Sequence, residues 1–235
     1  LKKQRLLDLK RFYSILEKLE KKNISKRLLS NSNGRQKWPE KGVYFFFEPN
    51  EKRSNSGDGL RVTRIGTHAL IDNSETTLWD RLRQHKGIVK NGGGDHRTSI
   101  FRLLVGTALI QKNNLNISTW GVGNTASKDI KKNEHLLEQQ VSKIIRNMPF
   151  LYLSINDEAG PESLRGYIEK NSISLLSNFN KQALDMASLD WLGHKCDRNK
   201  VNESNLWNQE HVEKSYDSNF LDKFEKLVEK MNTIE

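Results

Sequence analysis

The chain has 235 residues, 35% of them apolar, and a formal net charge of +10, which is long enough to bury a core without disulfide or metal staples. No stretch approaches the roughly 20 apolar residues that span a bilayer, and the single cysteine, Cys196, excludes an internal disulfide framework and a multi-cysteine metal site. With no apolar leader near the first residue, Leu1, a protein of the reducing cytoplasm without a membrane partner is expected. The charge is uneven, at +8 over residues 1–40, +5 over 41–112 and −3 over 113–235. A basic half on an otherwise neutral chain points to a polyanion, most commonly nucleic acid.

Residues 4–29 read as a helix, because Leu6, Leu9, Tyr13, Leu16 and Leu19 recur at spacings of three and four between lysines and arginines. A polar linker, 30–38, ends at Pro39. Gly42–Glu48 is short, aromatic and β-branched, hence a strand. A loop over Asn50–Gly59 and a second strand, Leu60–Gly66, complete a hairpin. A short helix follows over Thr77–Gly87, capped by Thr76 or Thr77 and closed by glycine. After a glycine-rich loop, Asn91–Asp95, come a helix at about 98–110, a short strand at Thr119–Trp120, a long helix over Asp129–Met148 and a strand over Pro149–Ile155. Pro161, placed at the first helical position, opens a helix to about Leu176. The polar remainder ends in an amphipathic helix near 218–231. The order predicts an α+β fold, with a small antiparallel or mixed three-stranded sheet flanked by helices. An N-terminal basic helix and linker (1–38) precede the core (39–180), and a helical extension (181–235) follows it.

Four pieces of this pattern carry chemistry. Gly42-Val43-Tyr44 sits on the first strand and Arg64-Ile65-Gly66 at the end of the second. Arg81 and His85, four residues apart, share a helix face. Tyr167-Ile168-Glu169-Lys170 lies in a helix after a strand, with Asn178 closing the stretch. Together these motifs resemble those of the GIY-YIG nucleases over residues 40–180. The resemblance implies phosphodiester hydrolysis assisted by one divalent ion, Mg²⁺ or Mn²⁺, held by a single carboxylate, since Mg²⁺ keeps several of its waters. It implies that Tyr44 aligns or deprotonates the water, Arg81 clamps the phosphate, and Glu169 is the metal ligand. Gly42, Gly66 and Asn178 are implied as structural residues of the site. Arg64 stands where the family usually has tyrosine; arginine is no base at neutral pH, but it binds phosphate bidentately. His68 is placed to relay a proton toward Tyr44.

Each residue has a plainer reading as well. Tyr44 also suits an aromatic core strand, and Arg64 suits a structural ion pair. His68 suits a solvated loop, and Glu169 an i,i+4 bridge to Arg165. Arg83, His85, His96, Arg97 and Arg102 are expected to contact nucleic acid. The last three follow Gly92–Gly94 at a helix start, where backbone amides also attract phosphate. The remaining histidines show no metal-ligand spacing. The expected function is a metal-dependent DNA endonuclease, with RNA not excluded and a restriction-like or mobile-element role compatible. The alternative is a GIY-YIG-like module that binds nucleic acid without cutting it.

Overall fold

The computed structural model describes residues 2–233. The lysine-rich N-terminal segment forms α1 (Lys2–Lys22), whose apolar stripe buries Leu9, Phe12, Ile15, Leu16 and Leu19. Its cations are partly committed to internal contacts. Arg11 pairs with Asp222 (2.6 Å) and Glu225 (2.8 Å), and Lys18 with Glu225 (2.5 Å). The buried Arg5 donates to the carbonyls of Leu175, Gln182 and Ser177. The helix stops short of the expected residue 29. Asn23 leaves it to pair through its side chain with both backbone groups of Tyr152, at 3.0 and 3.1 Å.

The sheet has four strands rather than three: β1 (Arg27–Leu28), β2 (Gly42–Lys52), β3 (Leu60–Gly66) and β4 (Pro149–Ser154). They are antiparallel in the order β1-β4-β2-β3. The extra strand has two residues, too few for a period of two to show in sequence. Central β2 is buried on both faces. Phe45 packs on Phe12 and Phe224, while Tyr44 and Phe46 face His85 and Phe101. Helices therefore cover both sides. One layer holds α1, α5 (Leu164–Leu176) and α7 (Phe220–Lys230). The other holds α2 (Leu78–Lys86), α3 (Ile100–Asn113) and α4 (Lys128–Arg146).

Two local expectations are corrected. Thr119 and Trp120 lie in a turn, where Trp120 stacks on His96 with ring centroids 3.8 Å apart. Pro161 lies ahead of α5; Ser163 is the N-cap, its hydroxyl accepting from the Gly166 N–H, because a side-chain acceptor satisfies an orphan amide that proline cannot. A sixth helix, α6 (Asn199–Ser204), leads the chain back to the edge of β3. There Trp207 N–H donates to the Thr63 carbonyl (2.7 Å), and the Asn208 side chain pairs with both backbone groups of Ile65 (3.1 and 2.9 Å). That edge is thus covered. The buried apolar residues of 1–38, 39–180 and 181–235 share one core. Among the described residues no helix is long and apolar enough to cross a membrane.

Candidate active site

The ends of β3, α2 and α5 meet at a cleft of about 600 Å³ whose walls include Arg64, His68, Arg81 and Glu169. A larger depression, about 800 Å³ between Trp38, Tyr152 and Met231, gathers none of these four. β3 brings Arg64 to the cleft beside the C-terminal segment, where its guanidinium donates to the Trp207 carbonyl. α2 begins with a reciprocal capping box, Thr77 with Asp80, which fixes the helix start one turn before Arg81. Arg81 is held by Gln84 Oε1 (2.9 Å) and the Thr98 carbonyl (3.2 Å). α5 supplies Glu169, one of whose oxygens accepts the Thr67 N–H at 3.2 Å.

The glycines make room. A Cβ at Gly66 would overlap the Tyr44 hydroxyl and ring, and one at Gly42 would overlap the Leu153 carbonyl. Tyr44 is fully buried beneath the cleft, and its hydroxyl lies 2.8 Å from Nε2 of His85. His85 is itself fully buried, with Nδ1 2.7 Å from the Ser99 hydroxyl. Burial first, then the nearby Arg81, Arg64 and Arg102, push its pKa well below the ordinary value, so the imidazole is neutral. Burial also lowers Arg64, against the raising influence of Tyr44 and Glu169. Glu169 is pushed up to about 7 by burial, with Arg64 and the Thr67 N–H opposing the shift.

A family model described as GIY-YIG domain matches residues 3–234, nearly the whole chain. The chain belongs to the GIY-YIG domain family. Members of the GIY-YIG family are generally endonucleases that act on DNA and depend on a divalent metal. No curated protein and no solved structure matches the chain significantly.

The GIY-YIG chain holds some predicted site residues away from this cleft. His68 lines the cleft, but both ring nitrogens are taken by backbone. Nδ1 donates to the Thr76 carbonyl (2.7 Å) and Nε2 accepts the Gly42 N–H (3.3 Å). It clamps the loop before α2, and His85 occupies the place next to Tyr44 that was expected of His68. His96, Arg97 and Arg102, expected to meet nucleic acid, are buried. Arg97 pairs with Glu134 (2.7 Å), while His96 (3.0 Å) and Arg102 both pair with Glu138. A side chain 3% exposed or less cannot reach a phosphate backbone. Donor atoms of Asp95, His96 and Glu138 cluster within 4.8 Å. These ion pairs, with Lys131 on Asp95 at 2.8 Å, already occupy them. His85 is likewise removed from any nucleic-acid surface. Arg83 remains exposed, at 65%.

Asn178 lies outside the cleft lining; it pairs with both backbone groups of Leu184 and accepts from Arg5. The sequence reading did not find Asn208, Glu210 and His211, which line the cleft from the C-terminal segment. The pairing of Trp207 and Asn208 with β3, and of the Ser174 hydroxyl with the His211 carbonyl, brings them there. The shared helix face of Arg81 and His85 was the one signal for the role of His85.

Glu169 fits a hard divalent ion. Its carboxylate lines an open cleft, with room for the waters that such an ion retains, and a nearby cation relieves its unfavourable burial as an anion.

Proposed function

We propose that this GIY-YIG chain is a metal-dependent endonuclease that hydrolyses phosphodiester bonds in DNA. The observation that carries the reading is the convergence of the Arg64 and Arg81 guanidinium groups with the Glu169 carboxylate on a single cleft, with the hydrogen-bonded Tyr44–His85 pair beneath it. Arg64 and Arg81 hold the scissile phosphate and stabilise the charge that builds on it in the transition state. The neutral His85 accepts the hydrogen bond of the Tyr44 hydroxyl at Nε2 and so fixes the tyrosine oxygen, which aligns the attacking water. Glu169 would hold the divalent ion, which would supply Lewis-acid stabilisation of the leaving oxygen when bound. The buried, unpaired Cys196 is in keeping with the reducing interior of a cell.

Glu169→Gln tests this directly. It should abolish plasmid cleavage with Mg²⁺ or Mn²⁺ while DNA binding in chelator persists. Cleavage at the wild-type rate would overturn the assignment. One observation favours the alternative of a binding module that no longer cuts: the Tyr44 hydroxyl is fully buried, and Arg64 stands in place of the usual tyrosine. Wild-type protein that retards plasmid but leaves it intact with both metals would establish that reading.

A further inference from the structure

α2 separates the cleft from a second groove of about 620 Å³, whose lining includes Asn33, Trp79, Arg83, Gln84, Ile88 and Val89. Gln84 belongs to both walls, so the two depressions adjoin at one side chain. Their chemistry differs. The cleft mixes polar and apolar walls, whereas the exposed lining of the groove is predominantly apolar and presents Ile88 and Val89, at 53% and 65% exposure, side by side on its surface. The turn that carries them is fixed: Ile88 N–H donates to the Gly93 carbonyl (2.8 Å), and Arg146 donates to the Ile88 carbonyl (3.0 Å). Trp79 is steadied by near-parallel stacking on Trp38, with ring centroids 5.0 Å apart. Arg83 stands at the rim, and its 3.4 Å pair with Asp80 is exposed and therefore weak. The one carboxylate in the lining, Asp95, is neutralised by Lys131. The result is an aliphatic and aromatic surface with an exposed, weakly paired cation, beside a cleft that holds two more.

We propose that this groove receives an unpaired strand of nucleic acid running out of the cleft, so that the preferred substrate has a single-stranded segment beside the scissile phosphate. The proposal rests on the nuclease reading for the chemistry in the cleft. A duplex keeps its bases stacked and offers phosphates to a flat surface, so an apolar floor gains nothing from it. An unpaired strand exposes base faces that aliphatic and aromatic side chains cover, while cations follow its phosphates. The nine residues of α2 extend about 14 Å, roughly the length of four stacked nucleotides.

The test is a titration in chelator of a labelled single strand, a blunt duplex, and a duplex with a single-stranded tail, each as DNA and as RNA. The wild-type protein should bind the single strand and the tailed duplex more tightly than the blunt one. The double variant Ile88→Ser, Val89→Ser should lose about tenfold in affinity for the tail, the effect of one base contact, with the blunt duplex little changed. A preference confined to DNA or to RNA identifies the sugar that is read. Equal wild-type affinity for blunt and tailed duplex overturns the proposal, and that comparison needs no variant to fold. So does an equal loss on every substrate, or wild-type affinity in a double variant of unchanged melting temperature. Failure to cleave any of these substrates with Mg²⁺ would sink the nuclease reading separately, leaving the binding result intact.

Discussion

Arg102 and Arg83 carry the same charge in neighbouring parts of the chain, and their environments predict opposite phenotypes. The fully buried Arg102 donates to the Glu138 carboxylate, the Glu138 carbonyl (3.0 Å), the His85 carbonyl (2.9 Å) and Ser142 Oγ (2.9 Å). Arg102→Met leaves the Glu138 carboxylate in the interior without its cation, held only by hydrogen bonds from His96, and takes the Arg102 donor from the His85 carbonyl. Breaking one half of such a buried pair costs about 3–5 kcal/mol. At about 2–4 °C per kcal/mol for a chain of this size, the melting temperature should fall by roughly 6–20 °C. Arg102→Met combined with Glu138→Gln should recover part of that loss, because no bare charge then remains inside. Arg83→Ala should leave the melting temperature unchanged and reduce the salt dependence of nucleic-acid binding by about 0.7–0.9 in the log–log slope, one phosphate contact. Calorimetry and anisotropy across a salt series read both quantities. An Arg102→Met protein that melts with the wild type but loses a unit of salt slope would refute the buried assignment.

Arg81→Ala should lower the cleavage rate by about 10²–10³ with a melting temperature close to wild type, because it removes a donor aimed at transition-state charge; a large melting drop with normal turnover would mark Arg81 as structural. Gly66→Ala should displace the Tyr44 ring, costing about 1–3 kcal/mol by overpacking, and bring cleavage down to the level of Tyr44→Phe; wild-type cleavage in a folded Gly66→Ala variant would show that the close approach is not needed. His68 is held by burial at a pKa of about 4, against the ordinary value of about 6.5. The unfolded chain therefore binds the proton more readily between those values. The stability from neutral His68 is complete above pH 6.5 and is lost as the pH falls toward 4, by about 3 kcal/mol in all. Urea midpoints at pH 7 and pH 4.5 should differ less in His68→Gln than in the wild type, and equal differences would show that His68 is not the group responsible.

The sequence by itself determined what depends on short spacings. The apolar stripe of α1, the aromatic β2, the capping residue Thr77 and the closing Gly87 are local patterns. They placed Tyr44, Arg64, Arg81 and Glu169 on elements that do converge. Gly42 and Gly66 were recognisable by motif, although the overlap that forbids a side chain at each involves β4 and β2. What only the tertiary structure decided were partners distant along the chain. His68 and His85 both lie near the motif, and which ring reaches Tyr44 depends on how α2 packs over β2. The local pattern of His96, Arg97 and Arg102 suits a phosphate site, but Glu134 and Glu138 of α4 pair with them in the fold. Likewise only the tertiary structure shows that Arg11 and Lys18, two of the cations of residues 1–40, pair with Asp222 and Glu225 of α7. Helix and strand periods arise from geometry repeated every few residues, so they are written in the local sequence. Whether a charge faces solvent or an opposite charge depends on chain segments far away, and no local pattern records it.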